Sequence, residues 1–551
     1  MPEMKRSSDH IDGDAIISSG LEWKCGLNVK TTVALLLSLL FLAFLVLRDP
    51  PSSDSVWNRV KPPKVMEDDH ILRPNDAPGD SLLAGLLPSG FDRKSCLSRH
   101  QSVLYHKKLK RHPSSYLISR LRSYEALHRR CGPHTESYKN NVGLLNNSAG
   151  NNSHSDGCNY LVWIAFSGLG NRILTLASAF LYAVLTNRVL LVDPGNQILP
   201  NLFCEPFPNT SWYLPKDFPF SNQFKTFNQN STFCHGYMLK HNISEIINPP
   251  FIYVHLIYDI DQHHKLFYSD KEQIFLKKIP WVVIRTDEYF VPSLFLIESF
   301  KKDLENMFPD KDSVFHLLGR YLIHPTNPVW GLITRYYQAY LATADEKIGI
   351  QIRVFERETG PFQHILDQII SCTMKQHILP QIYQEEDYSI SITANSSDII
   401  NIKNKKNKKK KKAVLVTSLS PWYSDQIKNM YSEHPTLTGE VVGIFQPSHE
   451  EYQRTENLRH NMKALAEIYL LSMSDVLVTS GWSTFGYVAQ SLGGLRPWIL
   501  YKPENRTAPE PPCRRAMSME PCFHDPPSYD GADPHVKPCE DRSWGLKLVA
   551  A

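Results

Sequence analysis

The sequence predicts an α/β protein of two doubly wound, Rossmann-like halves, with one membrane-spanning helix near the N-terminus. Runs typical of buried strands alternate with helical apolar patterns on both sides of a boundary at residues 335/336. The span is predicted because residues 31–47 (TTVALLLSLLFLAFLVL) carry no charge. With 551 residues, 42% of them apolar and 21% charged, the chain is neither a mostly disordered protein nor a multi-span transporter.

The N-terminal region divides into a cytoplasmic tail (1–30), a transmembrane helix (31–47) and a proline-rich stem (48–80). Seventeen helical residues cover about 25 Å, slightly less than a typical hydrocarbon core. A cleaved signal peptide is the alternative, but Arg48-Asp49-Pro50 is a poor cleavage site. The basic residues on both flanks leave the orientation open.

Glycosylation sequons indicate that the body after the span is lumenal. All seven follow the span, at Asn146, Asn151, Asn209, Asn230, Asn242, Asn395 and Asn505. Nine of the ten cysteines also follow it, and none forms a CxxC motif. An oxidising lumen would allow up to four disulfides, with one of the nine cysteines left over.

The first half, residues 81–335, contains a βαβ unit. Its strand 158–166 is followed by a predicted tight loop (167–172), a helix (173–185) and a second strand (188–193). Two further strands are predicted, at 251–257 and 281–285.

The second half, residues 336–545, repeats this architecture. Its strands are expected at 347–354, 413–417, 440–445, 475–479 and 498–501. Its helices are expected at 362–372, 422–430 and 458–473. Since ligands of such sheets bind beyond the carboxyl ends of the strands, we expect the site in the cleft between the halves.

Residues 384–412 interrupt the pattern and end in a lysine tract, so we interpret them as a disordered surface insertion. Removing the eight lysines of this stretch changes the formal charge from +4 to −4. The charge therefore gives no case for nucleic-acid binding.

The loop between the first strand and helix contains Gly168, Gly170, Asn171 and Arg172. Glycine at two of these positions fits a tight turn with no ligand. The functional interpretation is that backbone amides, Asn171 and Arg172 face a polar ligand at a helix start. A dinucleotide site is not indicated, because the third glycine of that fingerprint is absent.

A second loop, Ser480 to Gly486, follows a predicted strand and precedes a helix. We expect Ser483 or Thr484 to cap this helix, so that its amides form an anion site. An ordinary capped turn explains the pattern equally well. The candidate binding residues of this loop are Trp482, Ser483, Thr484, Phe485 and Gly486.

Arg353 ends the strand KIGIQIRV, where its planar guanidinium would point into the crevice and bind phosphate. Arg357 is the second choice, although an ion pair with Glu356 or Glu358 would occupy it. Asp287 follows another strand and is a candidate general base or acceptor-hydroxyl partner, or simply a turn residue.

Asp259-Ile260-Asp261 has the DxD pattern that can hold Mg²⁺ or Mn²⁺, and His263 and His264 follow it. DxD is common by chance, and a loop at a strand end explains it without a metal. No metal site is therefore predicted.

These residues lie in segments that resemble the plant xyloglucan (galactoside) 2-α-L-fucosyltransferase family. The segments include FSGLGNRILTLASAFLYAVLTNRVLLVD from Phe166, KIGIQIRVF from Lys347, LVTSGWSTFGYVAQSLGGLRPWIL from Leu477 and CFHDPP from Cys522. The resemblance covers roughly residues 80–545. Ser269 and Gly531 stand where this family pattern has cysteines, and the lysine-rich insertion is foreign to it.

The resemblance implies a GT-B-like glycosyltransferase held in the Golgi membrane as a single-pass type II protein. GDP-fucose would be the donor, bound by the C-terminal domain (336–545). The acceptor would be a terminal galactose of xyloglucan, a pectin side chain or an arabinogalactan protein, on the side of the N-terminal domain (81–335). The implied reaction inverts the donor linkage to α-1,2 and needs neither cofactor nor metal. The resemblance also leaves room for a homodimer.

Two other classes of protein remain open. One is a GDP-sugar transferase with a different acceptor, such as a protein O-fucosyltransferase-like enzyme, which would share the donor site. The other is a catalytically silent lumenal binding protein. If the protein is a fucosyltransferase or another GDP-sugar transferase, we expect Arg353 and the loop of residues 483–486 to stabilise the diphosphate. We expect Asp287 to polarise the acceptor hydroxyl.

Overall fold

The first parallel sheet lies in residues 159–286 and has the strand order β2-β1-β4-β3. The computed structural model of the chain describes residues 82–106, 111–146, 157–243, 249–355, 360–383 and 409–550. All neighbours in this sheet are parallel. Its strands are β1 (Asn159–Ile164), β2 (Arg188–Val192), β3 (Phe251–Leu256) and β4 (Trp281–Thr286).

Several helices of this part of the chain pack on the sheet, and others pack on helices of the second half. They are α1 (Leu97–Gln101), α2 (Ser115–Cys131), α3 (Glu136–Asn146), α4 (Leu169–Thr186), α5 (Ile198–Leu202), α6 (His235–Lys240), α7 (Gln262–Lys265), α8 (Asp270–Lys277), α9 (Val291–Leu294), α10 (Glu298–Met307), α11 (Val314–Leu322) and α12 (Asn327–Tyr336). Ser269, one of the two departures from the family pattern, accepts a hydrogen bond from Glu272 N and caps α8.

The second sheet has the order β10-β9-β8-β5-β6-β7, and every neighbouring pair except β9–β10 is parallel. Its strands are β5 (Glu346–Gln351), β6 (Lys411–Thr417), β7 (Val441–Phe445), β8 (Val476–Ser480), β9 (Trp498–Leu500) and β10 (Cys513–Arg515). The helices are α13 (Gln363–Lys375), α14 (Trp422–Glu433), α15 (Leu458–Ser472) and α16 (Thr484–Gly493). A separate antiparallel pair follows, β11 (Val536–Pro538) and β12 (Leu546–Leu548).

The expected mixed α/β fold with parallel sheets is therefore confirmed, and all nine predicted strands are present. Strands β1, β2 and β4 are buried along nearly their whole length, as sheets covered on both faces require. In the first core the rings of Tyr160 and Trp281 stack 4.1 Å apart. The domain boundary at 335/336 stays a prediction, and it falls between the last strand of one sheet and the first strand of the other.

The sequence prediction was wrong at the start of α4. The predicted loop 167–172 is mostly helix, because α4 begins at Leu169 and Gly168 is its N-cap residue. Glycine disfavours helices, so the sequence at Gly170 reads as a loop. A Cβ atom there would lie 2.7 Å from Thr484 Oγ1, so close packing against α16 requires this glycine.

The predicted C-terminal bound of the insertion, residue 412, was also wrong. Lys411 and Lys412 are the first residues of β6, where Lys412 is buried and its Nζ lies 3.0 Å from Glu346 Oε2. A lysine is tolerated there because it donates to a carboxylate and to the Ile378 carbonyl. Residues 384–408 of the insertion lie outside the described residues.

Four disulfides confirm the number expected for the nine cysteines that follow the predicted span. They join Cys96 to Cys204, Cys131 to Cys158, Cys372 to Cys513 and Cys522 to Cys539. Cys234 is buried and pairs with no described cysteine. Burial raises the pKa of its thiol to about 11.

The predicted tail, transmembrane helix and stem lie outside the described residues. Among the helices that the structure describes, α4 is long and apolar enough to cross a bilayer. It is almost entirely buried between β1, β2 and neighbouring helices, so it is a core helix.

Candidate active site

A cavity of about 330 Å³ opens at the carboxyl ends of β5 and β6, where sheets of this kind bind ligands. One wall comes from the segment before and inside the first turn of α4, and another from the start of α16. The third wall comes from helix α15 and the loop that precedes it. Both halves of the sequence thus contribute to one cavity, as expected.

Two helix N-termini face this cavity. Gly168, Gly170 and Asn171 line it from α4, while Ser483 and Thr484 line it from α16. The first amides of a helix have no partner within the helix, and the helix dipole favours negative charge there. Two such ends on one cavity form a site for an anion such as a phosphate.

The contact between the two helix starts is built from side chains as well as backbone. Thr484 Oγ1 donates to Asn171 Oδ1 over 3.0 Å, and Asn171 Nδ2 donates to the Asp287 carbonyl over 2.9 Å. Thr484 therefore bonds to Asn171 and not to its own helix. Ser483 holds the N-cap position without a side-chain cap bond, so the predicted side-chain cap was wrong.

Arg353 lies two residues beyond β5 and lines the cavity, as predicted. Its backbone nitrogen donates to Ser480 Oγ over 2.9 Å. Its guanidinium lies 5.7 Å from the Phe355 ring centroid and forms no ion pair with a described residue. Burial lowers the pKa of Arg353, but an arginine keeps its charge. The cavity thus contains a half-buried cation that the described carboxylates leave unneutralised.

Trp482, Ser483 and Phe485 also line the cavity. Trp482 has φ of +62°, a left-handed conformation that is unfavourable for a tryptophan. Asp541 holds it there: the Trp482 backbone N–H donates to Asp541 Oδ2 over 2.8 Å, and the indole N–H donates to the Asp541 carbonyl. The indole orientation is therefore fixed before any ligand arrives.

Two of the predicted binding residues lie behind the cavity wall. Arg172 is buried; its Nε donates to the Ser167 carbonyl and its Nη2 lies 2.7 Å from Glu456 Oε1. Gly486 packs in the interior, where a Cβ would lie 1.9 Å from Thr479 Oγ1. The structure places both as packing and positioning residues, and direct ligand contact by either of them stays a prediction.

The DxD carboxylates are engaged in local hydrogen bonds. Asp259 Oδ1 lies 3.0 Å from His255 Nε2. Asp261 caps α7 by accepting from the amides of His263 and His264. These contacts are those of a loop at a strand end, the interpretation of this motif that involves no metal.

A possible cluster of three metal ligands occurs elsewhere among the described residues, at Cys522, Cys539 and Asp541. Its two sulfurs form a disulfide, so they lack the thiolates that a metal would need.

Asp287 lies next to the cavity without lining it. Burial, together with the nearby Asp259 and Asp525, raises the pKa of its carboxyl to about 6. Its Oδ1 is buried with no hydrogen-bond partner among the described residues. The neighbouring Glu288 has its pKa raised to about 8 by burial and by Asp287. Asp287 can therefore take up a proton near neutral pH, as a general base must.

Sequence reasoning missed several polar groups of the cavity. Glu467 and His460 line it from α15, and Thr417 lines it from the end of β6. Burial raises the pKa of Glu467 to about 7, and Ser448 N donates to its carboxylate over 3.2 Å. Thr417 Oγ1 is buried with no hydrogen-bond partner among the described residues. The spacing of residues 460, 464 and 467 in the sequence could have indicated that they share one face of α15.

A parallel α/β fold with an unneutralised arginine and two helix N-termini at the strand ends defines an enzyme of the nucleotide-binding class. A model of the xyloglucan fucosyltransferase family matches residues 58–532. The chain belongs to the xyloglucan fucosyltransferase family, and it is a glycosyltransferase.

Individual relatives agree with this assignment. The galactoside 2-alpha-L-fucosyltransferase of Pisum sativum is 56% identical, over 94% of this chain and 90% of that protein. The Arabidopsis thaliana protein of the same name is 53% identical, over 94% and 92%. A solved structure of a mutant of Arabidopsis thaliana FUT1, in complex with GDP, is 55% identical with a TM-score of 0.77, over 85% of this chain and 100% of that one.

Proposed function

We propose that this protein transfers L-fucose from GDP-fucose to O-2 of a terminal galactose, inverting the donor to an α-1,2 linkage. The observation that carries the proposal is the Arg353 guanidinium, half-buried in the cavity and unpaired among the described residues. The name galactoside 2-alpha-L-fucosyltransferase of two relatives supports the linkage, and the GDP of the related structure supports the donor. The acceptor would be xyloglucan, a pectin side chain or an arabinogalactan protein.

In this reaction the galactose hydroxyl attacks C1 of fucose while the bond from C1 to the diphosphate oxygen breaks. Negative charge grows on the departing GDP. Arg353 and the first amides of α4 and α16 are the groups of this cavity that stabilise such charge. Asp287 would take the proton of the attacking hydroxyl, and its pKa of about 6 keeps most of it ionised at neutral pH.

Charge stabilisation by fixed groups supports catalysis without a metal ion. The two carboxylates of the DxD motif support this part of the proposal, because histidines and helix amides already bond to them. The finer description of the fold, a GT-B-like pair of Rossmann-like domains, is likewise proposed.

We also propose that the protein is anchored in the Golgi membrane by residues 31–47, with the catalytic body in the lumen. The seven sequons after the predicted span support this topology. The four disulfides of the body support an oxidising compartment.

The test is to incubate the full-length protein with labelled GDP-fucose and a panel of galactosylated glycans, each with and without EDTA. We expect α-1,2-fucosylated galactose in both conditions. Donor hydrolysis without transfer to any galactoside would indicate a GDP-sugar transferase with another acceptor, and neither reaction would indicate a silent binding protein. Loss of turnover in EDTA that Mn²⁺ restores would contradict the metal-free mechanism.

A further inference from the structure

Three aromatic side chains form a continuous strip from the cavity to the protein surface. Phe355 and Trp482 line the cavity, and their ring centroids lie 6.4 Å apart. Trp544 lies beyond them, 6.4 Å from Trp482, and 58% of it is exposed. Phe355 is 42% exposed, so both ends of the strip are open to solvent.

From this strip we propose that Phe355, Trp482 and Trp544 bind the sugar rings of the acceptor that lie beyond its terminal galactose. The inference rests on the proposed function and names the extended acceptor site. The occupant is a neutral oligosaccharide chain, whose pyranose rings have apolar C–H faces that pack on aromatic rings.

The chemistry of the strip favours a glycan. Its three aromatic rings present flat apolar faces. A sugar ring is apolar on its faces and polar at its rim, and the strip offers the same mixture. Two cations lie over these rings: Arg542 is 4.9 Å from the Trp482 centroid and 4.7 Å from that of Trp544, and Lys502 Nζ is 5.0 Å from that of Trp482. Both can donate to hydroxyls of a sugar that packs on the remaining ring surface.

Bonds hold Trp482 and the backbone near Trp544 in place, which reduces the entropy lost on binding. Asp541 fixes the indole of Trp482, as described above. The chain around Trp544 is tied by the Cys522–Cys539 disulfide and by the bond from Gly545 N to the Arg542 carbonyl. Exposed tryptophans held in place by neighbouring bonds are typical of binding surfaces.

The test compares Trp544→Ala with the wild type in the full-length protein. Two acceptors are used with GDP-fucose: methyl β-galactoside and a galactose-terminated oligosaccharide of several sugars. We expect the ratio of KM for the oligosaccharide to KM for the methyl galactoside to rise about tenfold, the loss of one stacked ring. Trp544→Phe should restore most of the ratio, because it keeps an aromatic face.

Tyr383→Ala is the matched control, since Tyr383 is 47% exposed and does not line the cavity. It should leave the ratio unchanged. An unchanged ratio in Trp544→Ala would overturn the proposal while leaving the proposed function intact. A change in oligomeric state or in vesicle binding with an unchanged ratio would assign the strip to another partner. If the wild type fucosylates no galactoside, both proposals fall.

Discussion

Replacing Arg353 with lysine should damage catalysis far more than a conservative substitution normally does. Lysine keeps the charge but loses the planar pair of donors that can bind two diphosphate oxygens at once. The cavity half-buries Arg353 and so shields its guanidinium in part from bulk water. Contacts in such a site are less screened than at an exposed surface.

The size of the loss follows from the kind of contact. Losing one donor to a developing negative charge costs about 3–4 kcal/mol, or about 10²–10³ in rate. The diphosphate gains charge as the bond to C1 stretches, so the contact strengthens in the transition state. The loss should therefore appear in kcat as well as in the KM for GDP-fucose.

The assay is steady-state transfer from GDP-fucose with Arg353→Lys, the wild type and Arg515→Lys. Arg515 is a suitable control because it lies in β10, exposed and stacked over Trp498, away from the cavity. Equal melting temperatures are needed to exclude misfolding. A folded Arg353→Lys enzyme with near-normal kcat and KM would refute the reasoning and place the diphosphate at the helix N-termini alone.

Three further predictions concern the proton acceptor, the insertion and the packing of α16. The kcat/KM of the wild type should fall as the pH drops below about 6, because the raised pKa of Asp287 leaves this base protonated there. Asp287→Asn should lower kcat/KM and remove the acidic limb from the pH profile. An unchanged profile would assign the base to another residue. Deleting residues 384–408 should leave the melting temperature unchanged. Extending the deletion to residue 412 should lower it, because the start of β6 and its buried ion pair are then removed. Equal melting temperatures of the two deletion variants would show that this strand start is dispensable. Gly486→Ala should lower the free energy of unfolding in denaturant by about 1–3 kcal/mol, because the added Cβ has no room. Gly143→Ala, at a helical position of α3 where an added Cβ meets no atom, should raise it by about 0.5–1 kcal/mol. Similar effects of the two substitutions would contradict the packing argument.

The central strands could be predicted from the sequence because they are buried on both faces and therefore read as continuous apolar runs. β10, β11 and β12 were missed for the opposite reason. Each has three residues, and sequences such as Val536-Lys537-Pro538 carry no strand period. Pairing with a neighbouring segment, which only the folded chain brings together, makes them strands.

The site shows the same division between local and distant information. Arg353 and Trp482 were found because strand ends and the turns after them mark where ligands bind. The burial of Arg172 was not predictable, since its partner Glu456 is 284 residues away in the chain. Long-range partners decide whether a polar residue near a site faces the ligand or supports the wall behind it.

The disulfides have a consequence for where this protein can exist as a folded molecule. They close loops of 108, 27, 141 and 17 residues. Loops of these lengths stabilise by about 3–5 kcal/mol each, and a typical domain has only about 5–15 kcal/mol in total. A copy retained in a reducing compartment would therefore not hold Arg353 and the two helix starts around one cavity. The folded state of this protein should therefore depend on an oxidising environment.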